Sequence, residues 1–173
     1  MAYGGFNRIE FSSDGFHVIP LSISDSSKKE LASKLMLFFT GFRRNSYCFA
    51  EKQNSRIKEN TGSLNTMKQY AFDACKLLEN GKLDDFGRLL DETWKLKRSL
   101  ADGISNDIID DIYSKATAAG ALGGKILGAG GGGFILFYAD EDRQQAVRAA
   151  TGNLLQIPFS FENNGTEIIH KGQ

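Results

Sequence analysis

The chain has 173 residues, 41% hydrophobic and 24% charged, and its 21 basic residues balance its 21 acidic ones. That length fits one ordinary domain with its own core, and the composition excludes disordered, collagen-like and coiled-coil chains. A zero net charge gives no general attraction to nucleic acid or an anionic membrane, and no apolar run reaches the roughly 18 residues that a membrane helix needs.

In chain order, Ile9 and Phe11 alternate with Arg8 and Glu10, and Phe16 and Val18 flank His17. Between them lies Ser12-Ser13-Asp14-Gly15, a turn that ends in glycine, so a hairpin is expected. Pro20 limits further pairing, and the segment from Ser22 to Glu30 reads as a polar linker. Leu35-Met36-Leu37-Phe38-Phe39 is a continuous apolar run closed by Gly41, the pattern of a strand buried on both faces. A helix from about Tyr47 to Lys58 follows.

Three better-patterned helices come next. One carries Leu64, Met67, Ala71, Ala74, Leu77 and Leu78 on a single face and stops at Asn80-Gly81. The second aligns Leu83, Phe86, Leu90 and Trp94. The third is capped by Ser105, with Ile104 and Ile109 as a staple and Ile108, Ile112, Ala116 and Ala119 inward; Gly120 ends it. Lys125-Ile126-Leu127 and Phe134-Ile135-Leu136-Phe137-Tyr138 then read as strands around a glycine loop. A short helix with Ala146, Val147 and Ala150 inward leads to alternating Ile157, Phe159 and Phe161. Asn163-Asn164-Gly165 signals a second hairpin, to Ile168 and Ile169. Strands separated by helices with no dividing linker predict one α+β domain over residues 1–173, its sheet mostly antiparallel with helices on one face.

Cys48 and Cys75 make neither a disulfide framework nor a zinc spacing, and read as reduced thiols of a cytoplasmic protein. His17 and His170 have no partner at metal-ligand spacing. The N-terminal Met1-Ala2-Tyr3-Gly4-Gly5 lacks the charged and apolar regions of a secretory signal.

Gly128-Ala129-Gly130-Gly131-Gly132-Gly133 is the loudest feature. Five glycines in six positions cost on the order of a few kcal/mol in conformational entropy. A hairpin turn needs only one or two. Glycine also lets backbone approach a ligand and aim successive N–H groups at phosphate oxygens, with Lys125 adjacent. No Gly-Lys-Ser/Thr follows, and an apolar strand rather than a helix comes next, which excludes a P-loop and a dinucleotide fingerprint. Gly131, at the loop's middle, is the expected point of closest approach. Arg43 and Arg44 end a buried strand and suit either a phosphate or solvent. Lys95, Lys97 and Arg98 close a helix, where the dipole favours cations, and that is read as their role. Asp84, Asp85, Asp91 and Glu92 show no convergent partner, so no catalytic carboxylate and no metal site is assigned.

The run from Gly123 to Phe134 resembles the third, C-terminal motif of the GHMP small-molecule kinases, the galactokinase, homoserine kinase, mevalonate kinase and phosphomevalonate kinase relatives. Ala118-Ala119-Gly120-Ala121 fits the helix end that leads into that motif. Tyr3-Gly4-Gly5-Phe6-Asn7, Phe39-Thr40-Gly41-Phe42-Arg43-Arg44 and Trp94-Lys95-Leu96-Lys97-Arg98 with Ile104-Ser105 resemble the branch acting on D-glycero-D-manno-heptose phosphate. The resemblance implies a ferredoxin-like C-terminal domain, ATP with Mg²⁺ in the complete enzyme, and a sugar phosphate as substrate. It puts Gly128–Gly133 and Lys125 at the phosphates, and Gly4, Gly5, Arg43 and Arg44 in contact with substrate.

The family's Pro-x-x-x-Gly-Leu-Gly-Ser-Ser loop is not in this sequence. The chain therefore reads as the C-terminal half of a kinase, inactive alone, partnered by the missing N-terminal half or by itself. The alternatives are a non-catalytic small-molecule-binding or regulatory module and an oligomerisation domain.

Overall fold

A computed structural model describes residues 3–41, 56–128, 130–152 and 154–167. Strands β1 (Asn7–Ser12) and β2 (Gly15–Pro20) form the expected hairpin, with Phe11 opposite Phe16 and Ile9 opposite Val18. It is a two-stranded sheet of its own, not part of the larger sheet. Its apolar face is largely uncovered: Phe11 is 81% exposed and Phe16 54%.

The stretch expected as a linker is mostly helix, α1 (Asp25–Lys34). The Ser24 hydroxyl accepts from the Ser27 N–H at 3.1 Å, and Asp25 sits in the first turn, where the dipole favours acid. Only Leu31 of this helix is buried, so no apolar stripe announced it. Strand β3 (Leu35–Phe39) follows at once. It is not buried on both faces: Met36 and Phe38 are fully enclosed, whereas Leu35, Leu37 and Phe39 are half-buried.

Helix α2 (Thr61–Glu79) buries Cys75 and Leu78 and leaves Leu64 and Ala71 of its expected face exposed, whereas α3 (Leu83–Ser99) follows the sequence pattern; Gly81 lies between them at φ 67°. In α4 (Asp107–Ala118) the cap is Asn106, whose Oδ1 accepts from the Ile109 N–H at 3.0 Å; the Ser105 hydroxyl instead bonds Asp110. Ile109, Ile112, Tyr113 and Ala116 face inward, and Ile108 is exposed, contrary to the sequence reading. Strands β4 (Gly123–Ile126) and β5 (Phe134–Tyr138) flank the glycine loop. Helix α5 (Gln144–Ala150) buries Val147 but leaves Ala146 exposed. Strand β6 is only Leu155–Gln156; the alternation beyond it is irregular chain, as are Asn163-Asn164-Gly165. The helix expected near Tyr47 and strand residues Ile168 and Ile169 lie outside, or almost outside, the described residues.

The main sheet runs β4-β5-β3-β6, antiparallel throughout, so the domain is α+β. Met36, Phe38, Ile126, Ile135 and Phe137 line its enclosed face against α4, α5 and Trp94 of α3. The opposite face is covered around Tyr138 and Leu35 by Leu31, Leu78, Leu83, Phe86 and Leu90. Helix α3 presses on β4: a Cβ on Gly87 would lie 2.6 Å from the Tyr138 ring, and one on Gly123 would overlap the Gly87 carbonyl.

Lys34 fastens three elements. Its ammonium reaches Asp84 at 2.8 Å, Asp140 at 3.1 Å and Glu30 at 3.3 Å, and the Tyr138 hydroxyl donates to Asp84 at 2.9 Å. The Lys34 and Tyr138 bonds hold the Asp84 carboxyl below the usual carboxylate range, and the same contact raises Lys34. Asp84 therefore adds stability above about pH 4, which is lost as pH falls through its depressed folded value. Lys34 adds stability below its ordinary value of about 10.4 and loses it only in stronger base. Urea unfolding should show Lys34→Met less stable by about 1–3 kcal/mol. Asp84→Asn should flatten the acid limb of stability against pH, and an unchanged limb would refute the assignment.

Candidate functional site

The glycine loop joins β4 to β5. Gly128, Gly130, Gly131, Gly132 and Gly133 all have positive φ, from 76° to 149°, a region that side chains with a Cβ rarely enter. The loop is held at its base and at three further points. The Leu127 N–H donates to the Phe134 carbonyl at 2.8 Å, closing the base. The Gly131 N–H donates to the Ile104 carbonyl at 2.8 Å, and a Cβ on Gly130 would stand 2.8 Å from that same oxygen. Thr40, buried at the end of β3, donates both its N–H and its hydroxyl to the Gly133 carbonyl at 2.9 Å. Lys97 of α3 donates to the Gly128 carbonyl.

These anchors correct the expected role of Gly131. Its amide is taken by Ile104 and its backbone is buried, so it is a fixed point of the loop rather than its free centre. The amides of Gly128, Gly130, Gly132 and Gly133 have no hydrogen-bond partner among the described residues.

Lys125 lies on β4 opposite Leu136, just before the loop. Burial pushes its ammonium below the ordinary lysine value; burial and then the charge of Lys125 do the same to Lys97. Neither has an acidic partner among the described residues. The neighbouring cations do: Lys95 pairs with Asp91 at 2.6 Å and Arg98 with Asp110 at 3.1 Å. The groove between α3 and α4 is lined by these paired groups and by Tyr113, whose hydroxyl donates to Asp91 at 2.7 Å. Asp84 and Asp91 thus have partners after all: Lys34 and Tyr138 for Asp84, and Lys95 one turn on and the distant Tyr113 for Asp91. Among the described residues, the lysines beside the glycine loop have no acidic partner, the amides of Gly128, Gly130, Gly132 and Gly133 have no acceptor, and no Cβ of these glycines blocks approach. Backbone donors beside ammonium groups are the chemistry that suits an oxyanion.

Lys97 stands in the last turn of α3, as its sequence reading had it, and it also reaches the glycine loop, which that reading did not include. It lies three residues beyond Trp94, so it continues the stripe Leu83, Phe86, Leu90, Trp94. A lysine on a buried stripe was the available signal. Gly4 and Gly5, expected at substrate, pack against the chain near Asn163: the Gly5 N–H donates to the Glu162 carbonyl at 2.8 Å, and a Cβ on Gly4 would overlap Asn163. No described hydrogen bond links them to the loop. Arg43, Arg44 and Ala129 lie outside the described residues. Among the described residues no cluster of three or more His, Cys, Asp or Glu could hold a metal, and no helix is long and apolar enough to cross a membrane.

Residues 74–154 match the family model for the C terminal of GHMP kinases. The chain carries a GHMP kinase C-terminal domain. It is 32% identical over 168 residues to D-glycero-alpha-D-manno-heptose 7-phosphate kinase of Campylobacter jejuni, covering 92% of this chain and 49% of that protein. It is 29% identical to the bifunctional fucokinase/GDP-fucose pyrophosphorylase of Arabidopsis thaliana, spanning 13% of it. The chain thus spans about half, or less, of the curated relatives it matches. Among solved structures, a D-glycero-D-manno-heptose 1-phosphate kinase from Bacteroides thetaiotaomicron matches with a TM-score of 0.66 and 28% identity, over 98% of this chain and 47% of that one. Mevalonate kinase of L. major shares the fold at a TM-score of 0.74 and 17% identity, over 95% of this chain and 51% of that one.

The anchors give the glycines unequal weight. Nothing lies within 4 Å of a Cβ on Gly128, so Gly128→Ala should cost only backbone strain, about 1–2 kcal/mol. Gly131→Val forces a β-branched residue to φ 76° and should cost at least twice as much. Thermal melting of the two variants checks this, and equal shifts would contradict the anchoring scheme.

Proposed function

We propose that this chain is the C-terminal half of a cytoplasmic, ATP-dependent kinase that phosphorylates a heptose phosphate. The observation that carries this reading is the glycine loop, fixed in a positive-φ path beside Lys97 and Lys125, which have no acidic partner among the described residues. The relatives named for heptose 7-phosphate and heptose 1-phosphate support the substrate class.

In the transfer, an acceptor hydroxyl oxygen forms a bond to the γ-phosphorus of ATP as the bond to ADP breaks, and the hydroxyl proton leaves to a base. Such chemistry depends on positioning and on stabilising spread negative charge. The residues present fit the phosphate end of that task. The loop amides donate to phosphate oxygens, Lys97 and Lys125 supply positive charge, and absent Cβ atoms permit close approach. Mg²⁺ entering with the nucleotide would supply positive charge to the phosphates, and none of the described residues here is assigned to hold it. The base and the principal nucleotide loop belong, in this reading, to an N-terminal half. That half, or a second copy of this chain, covers the apolar face of Ile9, Phe11 and Phe16.

The test is a chimera in which this chain replaces the matching segment of the C. jejuni kinase. Supplied with MgATP and D-glycero-D-manno-heptose 7-phosphate, it should turn over within the common kinase range of about 1–100 s⁻¹. The chain alone should not. A folded but inactive chimera beside an active parent would overturn the proposal, and so would full turnover by the chain alone.

A further inference from the structure

We propose that Asp110 is a positioning residue for the glycine loop, steering its middle through Ser105 and the Ile104 carbonyl. The inference rests on the kinase reading and deepens it, because it names a residue remote from the phosphates that sets the path of the loop beside them.

The contacts run in one line. Oδ1 of Asp110 accepts from the Ser105 hydroxyl at 2.5 Å and pairs with the Arg98 guanidinium at 3.1 Å. One carboxylate oxygen thus joins α4, the connector before it and the end of α3. The Ile104 carbonyl and the Ser105 nitrogen belong to one planar peptide unit, whose tilt follows from what holds its two flanks. On one flank the Ile104 side chain is fully buried in the core; on the other the Ser105 side chain is tied to Asp110. The carbonyl aimed in this way accepts from the Gly131 N–H at 2.8 Å, and a Cβ on Gly130 would stand 2.8 Å from it. Leu127, Thr40 and Lys97 hold only the two ends of the loop. Among the described residues, the bond to Ile104 is the one at its middle. Consecutive glycines impose no path of their own, so the direction of the middle amides follows that carbonyl.

The simpler role for Asp110 is that of any acid in the first turn of a helix, where the dipole favours it. Asp107 shows that role by itself: it stands in the same turn, exposed, with no hydrogen bond or ion pair among the described residues. Nor does α4 need Ser105 as a cap, because Asn106 fills that position. The Ser105–Asp110 bond therefore serves the connector rather than the helix end.

Amide hydrogen exchange in the 173-residue chain is the primary test. Asp110→Ala and Ser105→Ala should each speed exchange at Gly131 by about tenfold or more, the weight of one charge-assisted hydrogen bond. Exchange at Leu127, at the base of the same loop, should stay as it was. The two effects should not add in the double variant, because either change cuts the same link. Asp110→Asn keeps an acceptor for Ser105 and should restore slow exchange at Gly131. Asp107→Ala should lower the melting temperature, as loss of a first-turn acid does, and leave Gly131 untouched. In the chimera with the C. jejuni kinase, Asp110→Ala should lower kcat by about tenfold or more while KM for MgATP changes by less, because displaced donors lose hold of the transition state. Asp107→Ala should leave kcat unchanged. Unaltered Gly131 exchange in Asp110→Ala, an equal effect of Asp107→Ala, or release of Gly131 and Leu127 alike overturns the proposal. So does an unaltered kcat once Gly131 is released. Should Asp110→Ala fail to fold, Ser105→Ala, which leaves the Arg98 pair intact, decides by the same readouts. The kinase reading is judged apart. A wild-type chimera without turnover removes that reading, and Gly131 exchange still decides for or against the link from Asp110.

Discussion

Helix α3 lies so close to the sheet that neither Gly87, against the Tyr138 ring of β5, nor Gly123 of β4, against the Gly87 carbonyl, has room for a methyl group. Much else depends on this contact. It brings Asp91 within reach of the Tyr113 hydroxyl, which tethers α3 to α4, and it seats Trp94 in the enclosed core. One turn further on, it delivers Lys97 to the carbonyl of Gly128. A side chain at either glycine would push the helix outward, and the glycine loop would lose one of its anchors. The packing of two glycines therefore sets the geometry of a site that lies several residues away from both.

The loop combines freedom in sequence with constraint in structure. Five glycines allow a path closed to other residues, yet Ile104, Thr40, Lys97 and the Leu127–Phe134 bond fix that path from four sides. Preorganised donors of this kind need little rearrangement when charge arrives, which is the general advantage of a fixed polar site over solvent. The charges around it are sorted in the same spirit. Acids neutralise Lys34 and Arg98 where elements meet and Lys95 within α3, and among the described residues the two lysines beside the loop have none.

The β1–β2 hairpin answers to a different constraint. Two strands alone are marginal in water, and this pair keeps Phe11 and Phe16 in mutual contact at 6.2 Å with their outer faces open. It is attached at its base: Phe6 and Leu21 pack on the core, Phe6 meets the Phe161 ring at 4.6 Å, the Gly5 amide donates to the Glu162 carbonyl, and Arg8 stacks over Phe72. The alternation of apolar residues in this segment foretold the hairpin but not which sheet it joins, because pairing partners are chosen by three-dimensional packing.

Local rules made much of this protein legible in its sequence. Periodicity placed α2, α3 and β5, and glycine density marked the loop, because those signals depend on neighbours within a few residues. Where the signal was weak or shared, the sequence misled: α1 has one buried residue, and Ser105 and Asn106 both suit a cap, so a shift of one position turned Ile108 outward and Ile109 inward. Only the tertiary structure decided which charges are neutralised and which are not. Asp84 lies 50 residues from Lys34 and Lys97 lies 31 from Gly128, and no local rule reports such separations. The sequence by itself determined that a glycine loop exists between two strands; the approach of α3 to β4 decided that Lys97 reaches it and that, among the described residues, no acid meets Lys97 or Lys125, because charge pairing depends on distance in space and not along the chain.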